Sequence, residues 1–137
     1  MEGFNQNTSL KQFELNENSV FSPSSGTPGE NELDILSLFG KEKLENIQQS
    51  LSKATGLAFV TVDYRGEPIT ESTSFSEFCS MARNDSQLSL RCKSSDAFGS
   101  IQASGMQKPS VYFCPCSLLE VAIPIVVKGH YLGGFIG

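Results

Sequence analysis

A chain of 137 residues holds one domain at most. Its 10 Lys and Arg stand against 15 Asp and Glu, a net charge of −5 with no basic cluster, which excludes a nucleic-acid interface built on many phosphate contacts. The hydrophobic fraction, 39%, is low for a wholly globular chain, and the shortfall lies in residues 1–32, rich in Asn, Ser, Gly, Pro and Glu.

That segment has no sustained apolar period, so it is expected to be a disordered tail, with the core-forming region over 33–137. No run is apolar enough for a membrane helix and no export signal is present, so no membrane association and a cytoplasmic address are expected.

Residues 33–39, "LDILSLF", are followed by Gly40. They read either as a short helix docked on the sheet or on a second copy in a homodimer, or as the first part of a helix interrupted at the glycine. In "KEKLENIQQSLSKAT", 41–55, Leu44, Ile47 and Leu51 recur at three and four residues, which predicts a helix stopped by Gly56. The period then changes. "LAFVTVDY", 57–64, predicts a strand, Arg65-Gly66 a tight turn, and residues 67–71 a short returning strand limited by Pro68.

Two helices are predicted next, over 74–85 with Ser74 or Ser76 as N-cap, and over 86–105 with Gly105 as the stop. Strands over 110–115, 118–129 and 130–137 complete the order, the last two joined at Lys128-Gly129. Helix, two strands, two helices and three strands predict an α+β fold, an antiparallel sheet with helices packed on one face. Gly133, Gly134 and Gly137 weaken a strand unless a ligand or a helix must approach its backbone. The last strand meets the final residue without an edge-blunting charge, so the chain is expected to be the front part of something longer.

Catalysis finds little support. His130 is the only histidine and sits beside a turn glycine, so no Ser/His/Asp or Cys/His device is expected. Asp63, Glu71, Glu77 and Asp85 lie near predicted turns and helix starts, where carboxylates act as solvated caps. Neither a P-loop nor a strand-linked G-x-G-x-x-G is present. Phe59, Phe75, Phe78, Tyr112 and Phe113 are the aromatics placed to line a cavity between helices and sheet, and Thr61 joins them as a candidate ligand-binding residue.

The cysteines leave two readings open. Cys79 and Cys92 fall on the two middle helices, and Cys114 and Cys116 at a strand end, with no C-x-x-C knuckle. Four thiolates from these positions allow a zinc or iron–sulfur site. Alternatively, all four are small buried apolar residues.

The segments "LSKATGLAFVTVDYRGEPIT", "FSEFCSMAR", "RCKSSDAF" and "CPCSLLEVAIPIVVKGHYLGGFIG" resemble the PocR sensory domain, over about residues 35–137. The resemblance implies a PAS-like, non-enzymatic module that senses a small molecule, a simple hydrocarbon derivative such as a diol. It also implies an output domain of histidine kinase, DNA-binding or cyclic-dinucleotide type, missing from this chain. The family's recurring cysteines fall on Cys79, Cys92 and Cys114, with Cys116 an extra thiol, and three recurring thiols in separate elements suggest that they converge. A cysteine-based zinc or iron–sulfur redox sensor is therefore the alternative function.

Overall fold

The computed structural model describes residues 34–137; the tail expected over 1–32 lies outside the described residues. Helix α1, Ile35–Phe39, opens at Asp34, whose carboxylate accepts from Ser37 N at 3.1 Å. Gly40 then takes φ 77°, a left-handed value open to glycine, and this residue breaks the run so that α2, Lys41–Thr55, starts afresh. Of the two sequence readings, the separate helix is the one observed. It docks on the sheet through Ile35, 2% exposed.

The buried face of α2 is Leu44, Gln48 and Ser52, one residue out of step with the expected Leu44, Ile47 and Leu51. Ile47 is exposed, and fully buried Gln48 takes the central place. Its amide is satisfied on all sides: Nε2 donates to Glu71 O at 2.9 Å and Thr73 Oγ1 at 3.3 Å, while Oε1 accepts from the Thr61 and Thr70 hydroxyls.

The same bonds explain a departure from the sequence reading. Strand β1, Val60–Asp63, has no continuous returning partner over 67–71; only the isolated bridges Phe59–Thr73 and Val62–Pro68 form. Pro68 offers no N–H to a ladder, and Thr70 Oγ1 rather than a backbone carbonyl accepts from Thr61 N, at 3.1 Å. Backbone bonds persist at Asp63 N to Glu67 O, Ile69 N to Thr61 O and both ways between Phe59 and Thr73, and a side chain replaces a ladder bond only at Thr61 N.

Helix α3, Glu77–Asn84, is capped by Ser76, and α4, Ser86–Met106, by Asp85, whose Oδ1 accepts from Gln87 N and Leu88 N. Helix α4 runs through Gly105, the expected stop, and ends at Gln107, which takes the left-handed conformation itself (φ 54°). Strands β2, Ser110–Phe113, β3, Leu119–Val127, and β4, His130–Ile136, join β1 in an antiparallel sheet of order β1-β4-β3-β2. Lys128 and Gly129, both at positive φ, close the β3–β4 hairpin as expected.

The α+β class with an antiparallel sheet is observed, but the helices, expected on one face, are divided between two. Ile35, Leu44, Phe59, Ile125, Leu132 and Phe135 form one core beneath α1 and α2. Val60, Val62, Ala103, Ala122 and Ile136 form the other beneath α4. Successive strand residues point to opposite faces, so a central strand with apolar side chains at consecutive positions, such as Phe135 and Ile136, needs cover on both sides. Each fully buried Leu, Ile or Phe contributes roughly 1.5–3 kcal/mol relative to exposure.

The β4 glycines fit the reason given for them. A Cβ on Gly134 would collide with Ser100 Oγ of α4 and with Ile123 O, so a packed helix is what approaches this backbone. Among the described residues no helix is long and apolar enough to cross a membrane.

Candidate functional site

The inner face of α4 is Cys92, Asp96, Gly99, Ser100 and Ala103, small or polar residues rather than large apolar ones. Gly99 leaves a flat place into which the Tyr112 ring of β2 fits. Closer to its N-terminus, α4 contributes Cys92 to a space also walled by α3 and the β2–β3 connection. A cavity of about 180 Å³ lies there.

Its walls come from five places in the chain. Leu57 and Ala58 precede β1, and Phe75 precedes α3; Phe78, Cys79, Ala82 and Arg83 come from α3 and Cys92 from α4. Cys114, Cys116 and Leu118 come from the β2–β3 connection, Leu119 and Glu120 from β3, and Ile136 and Gly137 from the end of β4 and the residue after it. The lining is apolar except for the four thiols and one polar end, Arg83 with Glu120. A dry engineered cavity of about 150 Å³ takes a benzene molecule, so this space suits a guest of a few carbons with one or two polar atoms.

The polar end continues inward. Arg83 Nη2 lies 2.8 Å from Asp96 Oδ2, and Asp96 has no exposed surface. The same guanidinium stands over the Phe75 ring, 5.2 Å from its centroid. One guanidinium faces two carboxylates. Burial pushes the Asp96 carboxyl up to about 6 against the opposing pull of Arg83. Burial, with the Asp96 charge adding to it, pushes Glu120 up to about 7, while Arg83 and Tyr112 pull the other way. The Tyr112 hydroxyl is raised in turn, first by burial and then by Glu120 and Asp96.

These groups are not mutually satisfied. Both Asp96 oxygens, Glu120 Oε2, Tyr112 Oη and Ser100 Oγ are buried without a well-aligned hydrogen-bond partner among the described residues. Arg83 and Asp96 thus meet as a close ion pair rather than as an aligned hydrogen bond. Buried polar atoms in native proteins normally find a partner in protein or water, and this cluster abuts the cavity.

The sequence-predicted site residues divide. Phe75 and Phe78 line the cavity. Tyr112 adjoins it through Glu120 without lining it. Phe59 belongs to the core under α1 and α2, and Thr61 is bonded to Gln48 on that same side, so both face away. Phe113 is 72% exposed on β2 and also lies outside.

All four cysteines reach the cavity wall. They do not form a coordination sphere: among the described residues no group of three or more His, Cys, Asp and Glu side chains is placed to hold one metal ion. Burial raises the Cys92 thiol, with Arg83 opposing, which favours the neutral S–H that a metal ligand must lose.

Arg83, Asp96 and Glu120 were not singled out from sequence, although two signals pointed to them. Glu120 interrupts the apolar run "LLEVAIPIVV". Asp96 falls in the stripe that also contains Cys92 and Gly99, the side of α4 that its spacing turns inward.

Fold and cavity together define an α+β domain with a small, partly open, chiefly apolar pocket that has a charged end. The family described as "Sensory domain found in PocR" matches residues 37–137, and the chain belongs to that family. It is 38% identical over 97 residues to the Regulatory protein PocR of Salmonella typhimurium strain LT2, an alignment covering 71% of this chain and 32% of that protein. The chain thus spans about a third of the length of this curated relative. No solved structure matches it.

Proposed function

We propose that this domain is a non-enzymatic sensor in which a small organic molecule, a hydrocarbon derivative such as a diol, occupies the cavity between α3, α4 and the β2–β3 connection. Binding regulates an output domain of a longer cytoplasmic protein, of DNA-binding, histidine kinase or cyclic-dinucleotide type. The observation that carries this reading is the chamber of about 180 Å³, apolar over most of its wall and polar at one end. The family's sensory description supports it. A guest touching both α3 and the β2–β3 connection favours the arrangement in which they close on it, and that differential affinity shifts the population.

Thermal melts of the chain against short alcohols, diols, carboxylates and amines test the proposal. A guest at a hundred times its Kd stabilises the native state by about 2.7 kcal/mol, roughly 10 °C or more in Tm for a domain of this size. Ala82→Leu, which fills the chamber from α3, is expected to abolish the shift while the variant still melts cooperatively. No shift with any compound, or an undiminished shift in the filled variant, would remove the reading.

A second reading, a zinc or iron–sulfur redox sensor, is favoured by the four thiols sharing one wall and disfavoured by their lack of a common coordination sphere. Anaerobic purification with metal analysis tests it. Stoichiometric metal lost on Cys→Ser substitution at all four positions supports it, and a colourless, metal-free protein whose stability survives that substitution removes it.

A further inference from the structure

The chamber's polar end carries one cation for two carboxylates. Asp96, fully buried, takes Arg83 as its partner at 2.8 Å, and among the described residues no second cation pairs with Glu120. Lys93, the nearest lysine in sequence on α4, is engaged by Glu67 at 2.9 Å. The groups facing Glu120 are Arg83 from α3, Asp96 from α4, Tyr112 from β2 and the cysteine thiols around the cavity. Glu120 Oε2 is buried at the cavity wall with the Tyr112 hydroxyl beside it, but without a well-aligned hydrogen bond among the described residues. An ionised carboxylate in that position would sit in a low-dielectric space beside a second carboxylate, which is the arrangement that drives one of the pair to keep its proton.

We infer that Glu120 is the residue that selects the guest, and that it does so as the neutral acid, donating a hydrogen bond to an uncharged hydroxyl or carbonyl oxygen in the chamber, so that binding takes up a proton. This rests on the sensor reading above. The proton comes from solvent and stays on Glu120 Oε2; no bond in the guest changes. Selection follows from charge. With Arg83 already matched by Asp96, a guest carboxylate finds no free cation and meets the Asp96 field. A guest ammonium meets a site made neutral by the Glu120 proton and loses its hydration without return. An uncharged oxygen accepts from Glu120, and its own O–H, where it has one, satisfies an orphaned acceptor. The position of Glu120 near 7 adds a consequence, since the competent form is lost as pH rises past neutrality.

Titration calorimetry of the 137-residue chain with butane-1,3-diol, butanol, butyrate and butylammonium at pH 6, 7 and 8, in buffers of different ionisation enthalpy, tests the inference. The two neutral compounds are expected to bind about tenfold more weakly at pH 8 than at pH 6, with net proton uptake. Glu120→Gln, whose amide donates at every pH, is expected to bind them with no such slope, and Glu120→Leu to bind them at least tenfold more weakly at pH 6. Butylammonium or butyrate binding at pH 6 as tightly as butanol, or a slope that survives Glu120→Gln, overturns the inference. Neutral guests that bind with equal affinity at all three pH values overturn it while leaving the sensor reading in place. Failure of every compound at every pH overturns the sensor reading itself.

Discussion

Arg83 on α3 and Asp96 on α4 form an ion pair of 2.8 Å in which the carboxylate is wholly buried and the guanidinium nearly so, at 17% exposure. This pair ties together α3 and α4, the two helices that line the cavity.

Removing one partner leaves a buried charge uncompensated, which costs about 3–5 kcal/mol, whereas replacing both with apolar residues of similar size costs little. Arg83→Met is therefore expected to lower stability by about 3 kcal/mol, the low end of that range because the guanidinium keeps some solvent contact. The double variant Arg83→Met, Asp96→Leu should recover most of the loss. Urea denaturation of the two singles and the double measures this, and additive losses would show that the pair is not coupled.

Stability should fall as pH rises from about 4 to 7. Asp96 at about 6 and Glu120 at about 7 are both held above ordinary carboxyl values, in each case chiefly by burial. In that window the folded chain binds more protons than the unfolded chain. The stabilisation is then complete below the unfolded carboxyl pKa and disappears as pH passes through the folded values. The loss is on the order of 3 kcal/mol from Asp96, with a smaller addition from partly exposed Glu120 once it is discounted for solvent screening. A higher Tm at pH 5 than at pH 8, with a flatter profile in Asp96→Asn, is the expected result; a Tm that rises with pH contradicts it.

Gly134→Ala should destabilise by about 1–3 kcal/mol, because the added methyl group meets both Ser100 Oγ and the backbone oxygen of Ile123. Ser100→Gly in the same chain relieves only the side-chain collision. Chemical denaturation should therefore show partial rescue, and full rescue would mean that the Ile123 contact carries no cost.

Gln48→Leu should cost about 2–4 kcal/mol despite being an apolar substitution at a fully buried site. It strips partners from the Thr61 and Thr70 hydroxyls and from Glu71 O. Hydrogen exchange should rise most at residues 67–73, the segment those bonds hold against β1. Unchanged protection there would show that packing and the backbone bonds to β1 hold the segment without Gln48.

Elements set by local signals were readable from the chain. Helix α2 formed over the expected span and stopped at Gly56, though its buried face shifted by a residue from the apolar spacing, and the β3–β4 hairpin followed Lys128-Gly129. The cavity was partly readable, since Phe75, Phe78 and the four cysteines meet at its wall. Phe59 and Thr61 lie on the sheet face away from the cavity, a placement that composition cannot give when both faces are covered. The returning strand is reduced to isolated bridges because Pro68 lacks an N–H and Thr61 N is taken by the Thr70 hydroxyl, which Gln48, distant in sequence, holds in place.

By itself, then, the sequence determined the helix and strand periods, the turn positions, the family and the supply of thiols and aromatics, because each depends on neighbours a few residues apart. Only the tertiary structure decided that helices cover both faces of the sheet, that the thiols surround a cavity without gathering into one coordination sphere, and that Arg83, Asp96 and Glu120 share a buried corner. Those outcomes depend on burial and on charges brought together from separate elements, and the energy of a charge is set by what surrounds it in space rather than by what precedes it in the chain.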